Sequence, residues 1–144
     1  MSKIFLDTSV FLASLRSPQG GSSEVLRHAV VGLIESVVSD DVLDEVARHV
    51  HEVDPMLRSL LLKYLAAIPF AVISVTPDEV QWATTFTAPK DSHIVAAAHK
   101  AGVDCLVTLD KRHLLDKRAE IEPHVCFQIV RPEDILAMQR STQR

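Results

Sequence analysis

Four acidic residues stand where a chain alternating between strand and helix would gather them. Asp7 ends the apolar run Ile4-Phe5-Leu6, and Asp110 ends the apolar run 105–109. Glu45 lies in an amphipathic stretch just past the apolar run 33–38, and Asp91 opens a helical stretch through Ile94, Val95, Ala96, Ala97 and Ala98. Carboxylate oxygens are the ligands preferred by hard divalent cations such as Mg²⁺ and Mn²⁺. Packed together without a cation or a proton, they repel one another. A cation bound there lowers the pKa of a water and neutralises a phosphate under attack. Singly, each acid has a plainer role: Asp7 and Asp91 as helix caps, Asp110 as a turn residue, Glu45 beside Asp44 as part of a solvated face. Their joint placement is what raises the metal-site reading.

The elements that must position them follow from pattern. Ile4-Phe5-Leu6 reads as a strand buried on both faces. Thr8 and Ser9 cap a helix running to about Leu15. A turn at Pro18-Gln19-Gly20-Gly21 precedes a helix started by Ser22 or Ser23 and ended near Gly32. Residues 33–38 form the second strand, and Ser39 caps the helix that carries Glu45. Asp54-Pro55 opens a long helix with Leu57, Leu60, Leu61, Tyr64 and Leu65 at helical spacing, stopped by Pro69. A third strand covers 70–75, and Thr76 caps a short helix from Pro77. The helix after Asp91 ends at Gly102, a fourth strand covers 105–109, and a short basic helix covers 111–117. A last strand at 127–130 precedes a helix opened by Pro132. Regular alternation of strand and helix predicts an α/β fold with a mostly parallel central sheet of about five strands flanked by helices. Such sheets bind ligands at the carboxyl ends of their strands, where Asp7 and Asp110 fall. One domain is expected over residues 1–138, with a polar, frayed tail at 139–144.

Several segments together resemble a known family. Leu6-Asp7-Thr8-Ser9-Val10 looks like the opening of a PIN domain. Residues 39–46, with Glu45, resemble its second acidic segment. Lys90-Asp91-Ser92-His93-Ile94-Val95-Ala96-Ala97-Ala98 resembles its third, Val107-Thr108-Leu109-Asp110 its fourth, and Ala101-Gly102-Val103-Asp104 fits the link between them. The resemblance covers essentially the whole chain, in order. It implies a compact metal-dependent nuclease with Mg²⁺ or Mn²⁺ at an acidic cluster. Asp7, Asp91 and Asp110 would be the principal metal ligands, with Glu45 completing the site directly or through water. Thr8, Ser9 and Thr108 would orient the carboxylates; the same hydroxyls also suit helix caps. Many bacterial members are toxins of the VapC type that cleave RNA, so a cognate antitoxin and a homodimer are implied as well. The implied reaction is phosphodiester hydrolysis in single-stranded or structured RNA, leaving a 5′-phosphate and a 3′-hydroxyl.

The remaining residues narrow the alternatives. Lys111, Arg112, His113, Lys117 and Arg118 form a basic patch after Asp110. With Lys90 and Arg16 it could hold RNA phosphates, and it equally reads as a solvated helix face. The net charge of −4 speaks against a simple DNA-binding module with a broad basic face. With five Phe, one Tyr and one Trp, an extended base-stacking platform is not expected. Trp82 reads as a core or interface anchor. Neither a CxxC pair nor an HExxH motif is present, and His49, His51, His93 and His99 are poorly spaced for zinc; His93 stands out only by its closeness to Asp91. Cys105 and Cys126 read as buried, reduced strand thiols. Neither a signal peptide nor a membrane-length apolar run is visible, so a cytoplasmic protein is expected. A phosphatase opening with Asp-x-Asp would need an acid where Ser9 stands, and a dinucleotide-binding turn would need glycine in 8–12. The alternative kept beside the nuclease is a non-catalytic PIN-like RNA- or protein-binding module.

Overall fold

The structure, a computed structural model, describes residues 2–142. Its strands are β1 (Lys3–Leu6), β2 (Glu35–Ser39), β3 (Ala71–Ile73), β4 (Cys105–Val107) and β5 (Gln128–Val130). Its helices are α1 (Thr8–Arg16), α2 (Gly21–Val30), α3 (Asp40–Val50), α4 (Pro55–Ala67), α5 (Pro77–Thr84), α6 (Ser92–Ala101), α7 (Arg118–Ile121) and α8 (Pro132–Thr142). All four strand pairings are parallel, in the order β3-β2-β1-β4-β5. The sheet is thus wholly rather than mostly parallel.

That order has a consequence for function. The chain steps from β1 out to β2 and β3, then returns past β1 to β4 and β5. Right-handed crossovers place the connections for the two directions on opposite faces. The reversal occurs between β1 and β4, and a crevice opens there at the carboxyl ends of the strands. The helices fall into matching groups: α1, α2, α4 and α8 pack with one another, and α5 packs with α6, which lies on β2 and β3. Helix α3 touches both α1 and α6 and so stands at the crevice.

The central strands explain why the sheet is stable. Ile4, Phe5 and Leu6 on β1 and Leu106 and Val107 on β4 are fully buried, as strands covered on both faces must be. Local capping chemistry agrees with the pattern. Ser39 accepts from the Val42 N–H at the start of α3, Asp54 from Met56 at the start of α4, and Thr76 forms a capping box with Glu79. Gly102 ends α6 in the left-handed conformation, φ 67°, where a Cβ would be strained.

Several expectations need correction. Helix α1 begins at Thr8 with Asp7 in the cap position, so Thr8 and Ser9 lie within the first turn and do not cap it. Strand β2 runs Glu35–Ser39 rather than 33–38, because Gly32 at φ 79° turns the chain first. The third and fourth strands are shorter than expected. No basic helix forms over 111–117: turns give way to a single 3₁₀ turn at Leu115–Lys117, then α7. Cys105 is buried on β4, but Cys126 precedes β5 and is exposed. Helix α8 runs to Thr142, through residues expected in the polar tail, while residues 143–144 lie outside those described. The Gln139 amide donates to the Leu33 carbonyl and its oxygen meets His28 Nδ1, tying α8 to the end of α2. No helix among the described residues is long and apolar enough to cross a membrane.

Candidate metal centre

The register of the two central strands builds the floor of the crevice. Leu6 pairs with Val107, so Asp7 and Thr108 emerge side by side one residue later. The Asp7 N–H donates to the Val107 carbonyl at 3.1 Å, extending the ladder to the carboxylate. Two hydroxyls then converge on one oxygen: Thr108 Oγ1 donates to Asp7 Oδ2 at 2.7 Å, and Ser9 Oγ donates to it at 2.8 Å. Each hydroxyl also accepts from the backbone beyond β4, Ser9 from the Leu109 N–H and Thr108 from the Asp110 N–H, both at 3.0 Å. A single polar web thereby fixes Asp7 against the loop that carries Asp110. Thr8 differs from its neighbours: its Oγ1 is buried and has no hydrogen-bond partner.

Asp7 is 5% exposed. Burial pushes its carboxyl above the usual carboxylate range, against the hydrogen bonds from Thr108, Ser9 and the Thr8 backbone, and the charge of Glu45 pushes the same way as burial. Neither Asp7 nor Asp91 caps its helix through the side chain. The plainer role considered for both is therefore absent.

Asp91 arrives by a different route. A 3₁₀ turn, Pro89–Asp91, swings the chain into α6 and buries the carboxylate at 6% exposure. Its Oδ2 has no hydrogen-bond partner. Burial raises its pKa first, and the negative charge of Asp110 adds to this; Lys90 and His113 pull it down, and Asp7 raises it again. Asp110 is half-buried at the mouth, with Lys90 Nζ 4.0 Å from its Oδ2. Its Oδ1 accepts from the His113 N–H at 3.0 Å, and His113 Nδ1 lies 3.4 Å from that same oxygen. Asp91, Asp110 and His113 each offer a ligand atom, all within 4.8 Å of one another.

The four acids thus meet in part. Asp91 and Asp110 join most tightly, together with His113, a residue that sequence reasoning placed only in a basic patch. Asp7 is coupled to Asp91 by charge, and Glu45 only to Asp7. Glu45, on the second turn of α3, is half-buried and lines a cleft of about 300 Å³ with Asp41, Asp44, Arg48 and His93. His93 Nδ1 is buried without a hydrogen bond, 4.0 Å from Asp41 Oδ2. Among the cations, Lys90 is at the site, and Lys111 and Arg112 are exposed on the turn after Asp110. Arg16 lies at the far end of α1, about 13–14 Å along the axis from Asp7 by helical rise, in a cleft with Leu12, Leu15, His49, Glu52 and Leu57.

The donor set suits a hard divalent cation. A buried carboxylate oxygen with no partner is expensive to maintain, and repulsion among Asp7, Asp91 and Asp110 adds to that cost. A cation removes both terms together.

A family model described as PIN domain matches residues 3–112. Solved structures of similar fold include PAE2754 from Pyrobaculum aerophilum, with TM-score 0.65, 17% identity, and coverage of 97% of this chain and 90% of that one. VapBC from Salmonella typhimurium, solved bound to DNA, gives TM-score 0.63 and 15% identity over 92% of this chain and 99% of that one. VapBC2 from Rickettsia felis, bound to a DNA fragment from its promoter, gives TM-score 0.62 and 13% identity over 90% and 98% respectively. No curated protein matches the sequence. At these identities, the structural likeness bears on fold alone.

Proposed function

The chain belongs to the PIN domain family, and on that premise we propose that it is a divalent-metal-dependent endoribonuclease, the toxin of a toxin–antitoxin pair. The observation carrying the proposal is the unpartnered, buried Oδ2 of Asp91 beside Asp110 and in the field of Asp7. Asp7, Asp91 and Asp110 would hold Mg²⁺ or Mn²⁺, with Glu45 completing the cluster directly or through water. When bound, the cation supplies a water of lowered pKa and charge for the phosphate.

The chain's own residues do the rest. Thr108 and Ser9 hold the Asp7 carboxylate in one orientation, so the crevice needs little rearrangement to receive its ligand. Lys90 beside Asp110, with Lys111 and Arg112 exposed on the turn after it, would engage phosphates of single-stranded or structured RNA. Arg16 would reach a phosphate several nucleotides from the scissile bond. Hydrolysis adds water to phosphorus and breaks the bond to the 3′-oxygen, which departs as a hydroxyl and leaves a 5′-phosphate. A cognate antitoxin would cover exposed apolar side chains such as Met56 and Leu62 on α4. The protein would act in the cytoplasm as a homodimer.

The test is incubation of purified protein with single-stranded RNA and Mn²⁺ or Mg²⁺, beside an EDTA control and a folded Asp7→Asn, Asp91→Asn double variant. Cleavage that needs metal and disappears in the variant is expected. Absence of cleavage together with absence of metal-induced thermal stabilisation would overturn the reading in favour of a non-catalytic PIN-like binding module.

A further inference from the structure

We infer that His113 is a nitrogen ligand of the metal at this centre, and that it shifts the site's preference from Mg²⁺ toward Mn²⁺ and Co²⁺. The inference rests on the metal-site reading above and adds to the carboxylates a donor of a different chemical kind.

The placement of the ring is built by the backbone. Asp110 Oδ1 accepts from the His113 N–H at 3.0 Å, which closes a tight turn over 110–113. The Leu115 N–H donates to the Asp110 carbonyl at 3.0 Å, and the side chains of Leu114 and Leu115 are buried beneath the turn. The imidazole is therefore delivered to the cluster by its main chain. Its Nδ1 sits 3.4 Å from Asp110 Oδ1, yet no hydrogen bond joins the two side chains among those of the described residues. The pair is close without being aligned as donor and acceptor. Two donor atoms this far apart, each about 2.1 Å from one cation, subtend roughly 110° at it, within the range that octahedral and tetrahedral sites span after small adjustment.

A second, independent observation points to a ligand. Asp91 belongs to the same group of mutually close ligand atoms, and its Oδ2 is buried without a partner. A cation held by this group would give the Asp91 carboxylate the partner it lacks. Lys90 lies on the other side of Asp110, 4.0 Å from Oδ2, and leaves the Oδ1 side to the histidine.

The donor set decides which cation. Mg²⁺ favours oxygen and gives up water reluctantly, whereas imidazole nitrogen suits the first-row transition ions, with affinity rising from Mn²⁺ to Co²⁺. Carboxylates joined by one imidazole therefore discriminate more strongly than carboxylates alone. The competing role for His113 is orientation of Asp110 from outside the coordination sphere, and that role places no nitrogen on the metal.

The experiment is electron spin-echo envelope modulation on the full-length protein loaded with Mn²⁺, with Mn²⁺ and Mg²⁺ affinities measured by calorimetry. The His113 ring is 29% exposed, so His113→Ala should fold, and circular dichroism checks this. His93→Gln serves as control, since His93 faces the neighbouring cleft with Glu45. The expected result is a directly coupled ¹⁴N signal in the wild type and in His93→Gln that disappears in His113→Ala. Mn²⁺ affinity should fall about tenfold or more in that variant, with Mg²⁺ affinity changing less. Bound Mn²⁺ without ¹⁴N coupling, or coupling that survives His113→Ala, overturns the inference and leaves the carboxylate site standing. Failure of the wild type to bind Mn²⁺ any better than Asp91→Asn overturns the metal-site reading and this inference with it.

Discussion

Asp91→Asn should make the metal-free protein more stable at neutral pH, although it removes a residue at the heart of the proposed site. The substitution keeps the shape and discards the charge. Burial is the first cause of the raised Asp91 pKa and the charge of Asp110 the second, partly opposed by Lys90 and His113. A carboxyl with a raised folded-state pKa binds its proton more tightly folded than unfolded. Its contribution to stability is complete below the ordinary value of 3.8 and is lost as pH rises through the folded-state pKa. At pH 7.5, well above that ordinary value, the buried carboxyl is a net cost. Asn keeps a polar atom at the unpartnered position, so what the substitution relieves is the charge, whose extra cost there is comparable to the roughly 1–3 kcal/mol that an unpartnered buried polar group carries. Asp110 is only half-buried and admits water to one side, so a gain of about 1–2 kcal/mol is the reasonable expectation. For a chain of this length that is roughly 3–8 °C in Tm. Differential scanning calorimetry in EDTA at pH 7.5 and pH 4 measures it, with Asp91→Ala alongside. The advantage of the Asn variant should shrink at pH 4. In saturating Mn²⁺ the order should invert, because metal at 100 times its Kd adds about 2.7 kcal/mol to the wild type alone. If Asp91→Asn melts at or below the wild type in EDTA at pH 7.5, the account of Asp91 as a destabilised carboxylate is wrong. If Asp91→Ala also loses about 1 kcal/mol, Asp91 is a helix cap after all.

Two further substitutions test the scaffold around it. Thr108→Val removes the donor to Asp7 Oδ2 and the acceptor of the Asp110 N–H at a fully buried position, so it should cost about 1–3 kcal/mol in urea unfolding and weaken metal binding; unchanged values would show that the web holds nothing in place. Ser39→Ala deletes the cap at the Val42 N–H and should cost about 1 kcal/mol by the same assay, with no loss if solvent replaces the hydroxyl.

The fold was legible wherever one physical requirement dominated. Ile4-Phe5-Leu6 is apolar at every position because β1 lies in the middle of the sheet with both faces covered, and no other element accommodates such a run so simply. The starts of α3, α4 and α5 were legible because Ser39, Asp54 and Thr76 each cap through their own side chain. The edges were not. Residues 70–75 have strand propensity, but β3 has only β2 as a neighbour, and the ladder ends after three residues with Ala71 and Val72 exposed. The C-terminal helix was read as ending early because residues 139–142 are polar. There, polarity marks tertiary bonding, since Gln139 bonds across to His28 and Leu33.

The site divides along the same line. Asp7 and Asp110 could be placed at strand ends from pattern alone, because the end of a buried apolar run is a local property. For Asp91, sequence leaves cap and ligand indistinguishable, since an aspartate before a helix suits either. The structure takes away the cap: the carboxylate is buried, makes no side-chain cap bond and leaves Oδ2 without a partner. The residues after Asp110 show the opposite failure. Lys111, Arg112, His113, Lys117 and Arg118 read as a basic patch, with a short helix over 111–117. The Asp110 carboxylate accepts the His113 N–H as a helix cap would, but the backbone bonds that follow join Leu115 to Asp110 and Asp116 to Lys111, five residues apart, so the segment winds too widely for an α-helix. A change of backbone winding leaves no periodic trace in sequence. The bond from the His113 N–H to Asp110 brings the imidazole to the carboxylates, so the basic patch divides: Lys111 and Arg112 face solvent and the histidine joins the acids.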